Sequence, residues 1–168
     1  MSNSVCRWGF LGTAAIARKN WKAVRLSGNG RVTAVASRSV AKAQRFIDEC
    51  AAETPQIAGA AAVGAYEELL ARDDVDAVYI PLPTGIRKQW VLAAAQAGKH
   101  VMCEKPLAMN SAESAELVEL AKSKELASGV CYNIRYNQLN IESRDMVRRG
   151  DVATIFHDNG SYLQHWLY

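Results

Sequence analysis

Short apolar runs and helical stretches alternate along most of the chain. Residues 5–11 form an apolar run ending in Gly12-Thr13-Ala14-Ala15-Ile16-Ala17, and helix formers then continue through Leu26 to a stop at Gly28. Residues 31–36 predict a second strand, and residues 40 to about 52 predict a helix with Ala43, Phe46, Ile47 and Cys50 on its apolar face. Residues 54–65, rich in alanine and glycine, predict a loop with a short strand. Residues 66–70 predict a short helix, with Asp73-Asp74-Val75-Asp76 as the turn after it. Residues 77–80 predict a buried strand closed by Pro81-Leu82-Pro83-Thr84-Gly85, where two prolines and a glycine forbid the ladder to continue. A helix over residues 87–97, stopped by Gly98, leads to His100 and the run Val101-Met102-Cys103-Glu104-Lys105-Pro106. Asn110-Ser111-Ala112-Glu113 pairs a cap with an acid three residues on, opening a helix to about Lys124, and residues 127–133 again read as a strand.

This alternation, with short connections, predicts an α/β fold built on a doubly wound parallel sheet. Four strand ends, at Gly12, Ser37, Pro83 and Glu104-Lys105, fall on one edge of that sheet. Open α/β sheets bind ligands outside the carboxyl ends of their strands, which directs Lys105 into a crevice; the competing reading is a surface Glu-Lys pair. His100 precedes its strand on the opposite edge and reads as structural.

Composition removes several alternatives. The 168 residues are 49% apolar and 22% charged with a formal net charge of +3, and no basic run stands out, so nucleic acid and membrane surfaces are not expected partners. Neither a membrane span nor a signal peptide is recognisable, and a cytoplasmic location is expected. Cys6, Cys50, Cys103 and Cys131 are scattered, without a C-x-x-C pair or a histidine at ligand spacing. They read as small apolar residues in a reducing compartment, and no metal site is expected.

The first turn supplies candidate chemistry. Gly12-x-Ala14-x-x-Ala17 matches G-x-G-x-x-G loosely: Gly12 permits the sharp turn, Ala14 lets backbone approach a pyrophosphate, and Ala17 lets helix pack on strand. The free amides of the helix N-terminus suit the phosphates, although any strand-to-helix turn can look alike. About 25 residues on, where an NAD site carries an acid for the ribose hydroxyls, this chain has Ser37 and Arg38. A hydroxyl and a planar guanidinium suit a 2′-phosphate and favour NADP over NAD; the alternative is a solvated arginine.

Trp8-Gly9-Phe10-Leu11-Gly12-Thr13-Ala14, Pro81-Leu82-Pro83-Thr84, Ala97-Gly98-Lys99-His100-Val101 with Glu104-Lys105-Pro106, and Tyr132-Asn133-Ile134-Arg135-Tyr136 together resemble the Gfo/Idh/MocA family of glucose-fructose oxidoreductase and inositol dehydrogenase-like proteins. The resemblance covers most of residues 5–165, with E-K-P its most specific part. It implies a Rossmann domain over residues 1–135 binding NADP or NAD. The cofactor would touch Gly12, Thr13, Ala14 and Ile16 on the first turn, Ser37 and Arg38 after the second strand, and Leu82, Pro83 and Thr84 after the fourth. Glu104, Lys105 and Arg135 complete the implied set. Lys105 is the implied catalytic group, moving a proton while hydride passes between nicotinamide and a sugar, polyol or dihydrodiol carbinol.

Residues 136–168 are then expected to hold a connecting helix over 138–149, with Gly150 after it, and a strand over 153–162. That strand would open a substrate domain with an antiparallel sheet, which also implies a homo-oligomer. Three departures stand out. Arg87 occupies the place of a frequent family histidine, His165 replaces an aspartate, and the usual catalytic histidine would lie past Tyr168, so the chain is expected to be truncated. Neither His157 nor His165 fits that histidine's motif. The rival reading is a non-catalytic NADP-binding sensor; a methyltransferase-like fold would want an acid after the second strand.

Overall fold

The computed structural model of the chain describes residues 5–56 and 58–161. Six strands form one parallel sheet: β1 (Cys6–Leu11), β2 (Gly30–Ala36), β3 (Ala61–Val63), β4 (Ala77–Ile80), β5 (His100–Cys103) and β6 (Ser128–Val130), in the order β3-β2-β1-β4-β5-β6. Helices α1 (Ala15–Leu26), α2 (Val40–Glu53), α3 (Tyr66–Leu70), α4 (Thr84–Gln96) and α5 (Ser111–Ser123) connect them. This is the doubly wound arrangement that alternating strand and helix patterns predict. The backbone divides between Cys131 and Tyr132 into two units. The second holds a 3-10 helix, Asn133–Tyr136, and α6 (Gln138–Arg149), which ends on left-handed Gly150.

Strand periodicity sends successive side chains to opposite faces, and two cores result. Phe10, Val35 and Tyr79 pack with Ala17 and Trp21 of α1 and with the predicted apolar face of α2. Their immediate neighbours Leu11, Ala36 and Ile80 pack on the other face with Leu69, Val91, Ala94 and Leu117 from α3, α4 and α5. Phe10 meets Trp21 and Tyr79 edge-on, with ring centroids 6.4 and 5.1 Å apart. Such aromatic pairs add about 0.5–1.5 kcal/mol each beyond their burial. Gly9 is required by close approach: a Cβ there would lie 2.6 Å from Leu69 Cδ2 and 3.0 Å from Val75 Cγ1, so only glycine lets α3 close on β1.

Several boundaries shift for physical reasons. Helix α4 begins at Thr84, three residues before the expected start, because Pro83 has no amide to leave unpaired in the first turn and its carbonyl accepts from Ile86. Strand β6 is shorter than residues 127–133, because β5 ends at Cys103 and the Cys131 amide takes the last carbonyl on offer. The antiparallel sheet expected of a second domain is not seen among the described residues. No strand forms over residues 153–161: Ala153 is left-handed with its amide on Gly150 O at 3.0 Å, and the exposed residues after it join no ladder among the described residues, so water must satisfy their backbone groups. Tyr162 and His165 lie outside the described residues. Among those described, no helix is long and apolar enough to cross a membrane.

At the amino edge, β1 is tied to the residue before β4. Arg7 donates through Nε and Nη2 to the two carboxylate oxygens of Asp76 at 2.9 and 2.5 Å, and its amide donates to Oδ2 at 2.8 Å. The guanidinium, then the amide, hold the Asp76 carboxyl down to about 2 against the opposing effect of burial. A depressed carboxyl pKa stabilises the fold above the unfolded value of about 3.9, and this is lost as pH falls through the folded value. Arg7→Met is expected to cost about 1 kcal/mol at pH 7, the range of half-exposed pairs, with the deficit shrinking between pH 4 and pH 2. Urea unfolding of both proteins across that range measures it; a deficit independent of pH would assign the cost to packing.

Candidate functional site

A cleft of about 300 Å³ opens at the carboxyl ends of β1, β2 and β4. It is lined by Gly12, Thr13 and Ala14 from the first turn, Ser37 and Arg38 from the end of β2, and Leu82 and Pro83 from the end of β4. Seven of the residues singled out from sequence thus come together in space. The backbone explains the shape. Gly12 has φ +113°, a conformation open to glycine, and its amide donates to Ala36 O at 2.9 Å, fastening the turn to the end of β2. A Cβ on Gly12 would stand 3.0 Å from Leu82 Cδ2 and narrow the cleft from both walls.

Ala14 caps α1 in an extended conformation without a side-chain acceptor; the Ala17 amide donates to Ala14 O at 2.9 Å, which leaves the Ala15 and Ile16 amides for an external acceptor. Ser37 is buried, and its amide donates to Val63 O at 3.1 Å, which holds the end of β2 against β3. Arg38 is exposed at the rim. Ser39 caps α2, accepting from the Lys42 amide, and so brings the Lys42 side chain round to the same rim. Neither Arg38 nor Lys42 pairs with a carboxylate among the described residues. Two cations therefore border a cleft whose floor is a glycine turn and a helix N-terminus, an arrangement that attracts polyanions.

Lys42, Tyr66, Pro81 and Ile86 line the cleft without having been singled out. A lysine in the first turn of a helix, where the dipole is unfavourable, was the available signal for Lys42. Tyr66 reaches in because it meets Trp90 edge-on, with centroids 4.8 Å apart, a contact between α3 and α4 that no local pattern encodes. Burial raises its hydroxyl above the ordinary value, while the Arg38 charge acts in the opposite direction.

Ile16 lies on the first turn of α1 and Thr84 begins α4; neither is among the lining residues of the cleft. Glu104 and Lys105 follow β5, beside β4. The Glu104 amide donates to Ile80 O at 3.2 Å, its Oε1 accepts from the Tyr79 hydroxyl at 2.8 Å and its Oε2 accepts from the Lys105 backbone amide at 3.3 Å. That contact, after burial, raises the Tyr79 hydroxyl; burial followed by the Glu104 charge and hydrogen bond pushes the Cys131 thiol up to about 12. Lys105 is exposed, and its ammonium has no hydrogen-bond or carboxylate partner among the described residues. Arg135 is exposed on the 3-10 helix of the second unit. His100 accepts through Nδ1 from the Ala127 amide at 3.2 Å, a structural contact. His157 is exposed. Among the described residues, no three His, Cys, Asp or Glu side chains cluster as metal ligands.

Residues 6–132 match the family model described as GFO_IDH_MocA, oxidoreductase family, NAD-binding Rossmann fold. The chain is 41% identical over 150 residues to dTDP-3,4-didehydro-2,6-dideoxy-alpha-D-glucose 3-reductase of Streptomyces violaceoruber, covering 89% of this chain and 42% of the relative. It is 36% identical over 140 residues to D-xylose 1-dehydrogenase (NADP(+)) 2 of Haloferax volcanii, covering 83% and 41%. Among solved structures, a 3-ketoreductase from Actinomadura kijaniata in complex with NADP and TDP-benzene superposes with a TM-score of 0.78 at 33% identity, over 88% of this chain and 43% of that one. The chain spans less than half the length of the curated relatives it matches.

Gly12→Ala combines a disfavoured φ with a 3.0 Å contact and is expected to cost about 1–3 kcal/mol in urea unfolding. A loss below about 0.5 kcal/mol would show that the turn relaxes freely, so that its shape is not set by glycine.

Proposed function

Because the chain belongs to the Gfo/Idh/MocA family of NAD-binding Rossmann oxidoreductases, we propose that it binds NADP in the cleft and contributes Lys105 to a sugar oxidoreductase. The observation that carries this reading is the joining of Gly12–Ala14, Ser37–Arg38 and Leu82–Pro83 in one cleft at the edge where the strand order reverses. The residues fit a dinucleotide. The glycine turn gives backbone access, the α1 amides lack a side-chain acceptor, and two cations stand at the rim.

In this reading the amides after Gly12 hold the pyrophosphate. Ser37 and Arg38 hold the adenosine 2′-phosphate, with Lys42 beside them. Charge-assisted bonds to these groups favour NADP over NAD, since a ribose hydroxyl would leave two cations without an anion. Leu82, Pro83 and Thr84, with Ile16 from the first turn of α1, flank the middle of the cofactor, and Glu104, next to Lys105, serves its nicotinamide end. When bound, the nicotinamide gives or takes hydride at C4. Lys105 would move the proton of the reacting hydroxyl, its ammonium donating to the forming alkoxide in ketone reduction and its neutral amine accepting from the hydroxyl in the reverse direction. The substrate class is a sugar carrying a hydroxyl or the corresponding ketone, free or nucleotide-linked, in keeping with the reductase and dehydrogenase relatives. Polyols and dihydrodiols are members of the same carbinol class.

Titration with NADPH and NADH tests the cofactor reading. NADPH is expected to bind at least tenfold more tightly, and Arg38→Ala to weaken NADPH by about tenfold to a hundredfold while leaving NADH within about threefold. Equal affinities for the two cofactors would overturn the assignment of the rim. Lys105→Met in the full protein is expected to lower kcat by about a hundredfold or more with NADPH still bound; unchanged turnover would remove Lys105 from the chemistry.

A further inference from the structure

Arg87 is 3% exposed and is the one buried charged side chain among the described residues. It stands in the first turn of α4, where the helix dipole disfavours a cation, and it has no carboxylate partner among those residues. Burial, dipole and lack of an anion all oppose a charge there, and an apolar residue of similar volume would avoid all three. What retains the cation is its bonding. Nε and Nη2 donate to the Leu82 carbonyl at 3.1 and 2.6 Å, and Nη1 donates to the Pro106 carbonyl.

Those carbonyls sit on two different strand-end turns. Leu82 lines the cleft, and Pro106 directly follows Lys105. The last rung between β4 and β5 is the Glu104 amide on Ile80 O. Past that rung the ladder has stopped, and the guanidinium supplies a tie between the two turns. Lys105 is thereby bracketed. On one side Glu104 is held by Ile80 and by the Tyr79 hydroxyl; on the other Pro106 is held by Arg87. The exposed ammonium has no tether of its own, so its backbone must aim it.

We propose that Arg87 is a positioning residue: its fork, bonded to Leu82 O and Pro106 O, sets the spacing between the cofactor-lining turn and Lys105. The inference rests on the proposed role of Lys105. A planar fork with donors on several edges reaches two separate carbonyls at once, which a single ammonium reaches less well. A small displacement at this point costs rate rather than cofactor affinity, since the pyrophosphate and 2′-phosphate groups lie elsewhere in the cleft.

The test compares wild type, Arg87→Met, Arg87→Lys, Lys105→Met and the Arg87→Met/Lys105→Met double variant in the full protein with NADPH and a sugar substrate. Arg87→Met is expected to lower kcat at least tenfold while the NADPH Kd stays within about threefold, with Arg87→Lys recovering part of the loss. The double variant is expected to be no slower than Lys105→Met alone, because the strap acts through that amine. Unchanged kcat, or a loss that adds fully to that of Lys105→Met, overturns the proposal. Should Arg87→Met fail to fold, Arg87→Lys and its pairing with Lys105→Met carry the same comparison. Hydrogen exchange of residues 104–108 against residues 77–80 reads the strap without any activity: faster exchange confined to 104–108 in Arg87→Lys supports it, and unchanged exchange overturns it. A wild type that binds no NADPH refutes the functional reading itself, and the exchange result then judges the strap separately.

Discussion

The pairing of β1 with β4 is the contact on which the rest of the structure depends. From β1 the chain first builds outward through β2 and β3, then crosses back to lay β4 against the other side of β1. Helix α1 leaves β1 toward the face holding Trp21 and Phe46, whereas α4 leaves β4 toward the face holding Val91 and Leu117. Adjacent strands whose connections depart to opposite faces leave a gap between them, and that gap is the cleft. Arg7 and Asp76 close the same pair of segments at the amino edge, so the opening lies at one end of the sheet.

Small residues occur where that pairing leaves no room. Gly9 lets α3 reach β1, and Gly12 lets the first turn clear Leu82. Buried polar groups follow a similar economy. Thr33 donates to Asp74 O at 2.8 Å, the Trp21 indole donates to Thr54 O at 2.9 Å, and Arg87 spends its donors on two turns. Each closes a gap between elements that the ladder does not reach, and a buried donor left unmade costs more than the bond contributes when formed.

Much of this was legible in the residues. The apolar face of α2 and the bounds of α3, β4 and α6 follow from period and capping, which act over a few neighbouring residues. The glycine turn and the Ser37-Arg38 pair were legible because each must sit at a strand end whatever the rest of the fold does. Tyr66 and Lys42 were not, since their places depend on how α3 and α2 rest on the sheet. The strand expected after Gly150 failed for a related reason: an extended pattern becomes a strand only beside another strand, and residues 153–161 have none among the described residues.

By itself, the sequence determined the alternation of elements, the parallel sheet and which turns lie together at its carboxyl edge. These follow from local periodicity and from the backbone freedom of single residues. Only the tertiary structure decided that Glu104 faces Tyr79, that Lys105 stands exposed between two held neighbours, and that Arg87 points inward to carbonyls of separate turns. Side-chain direction at a strand end is set by whichever donors and acceptors neighbouring strands bring within reach, and those partners are distant in sequence.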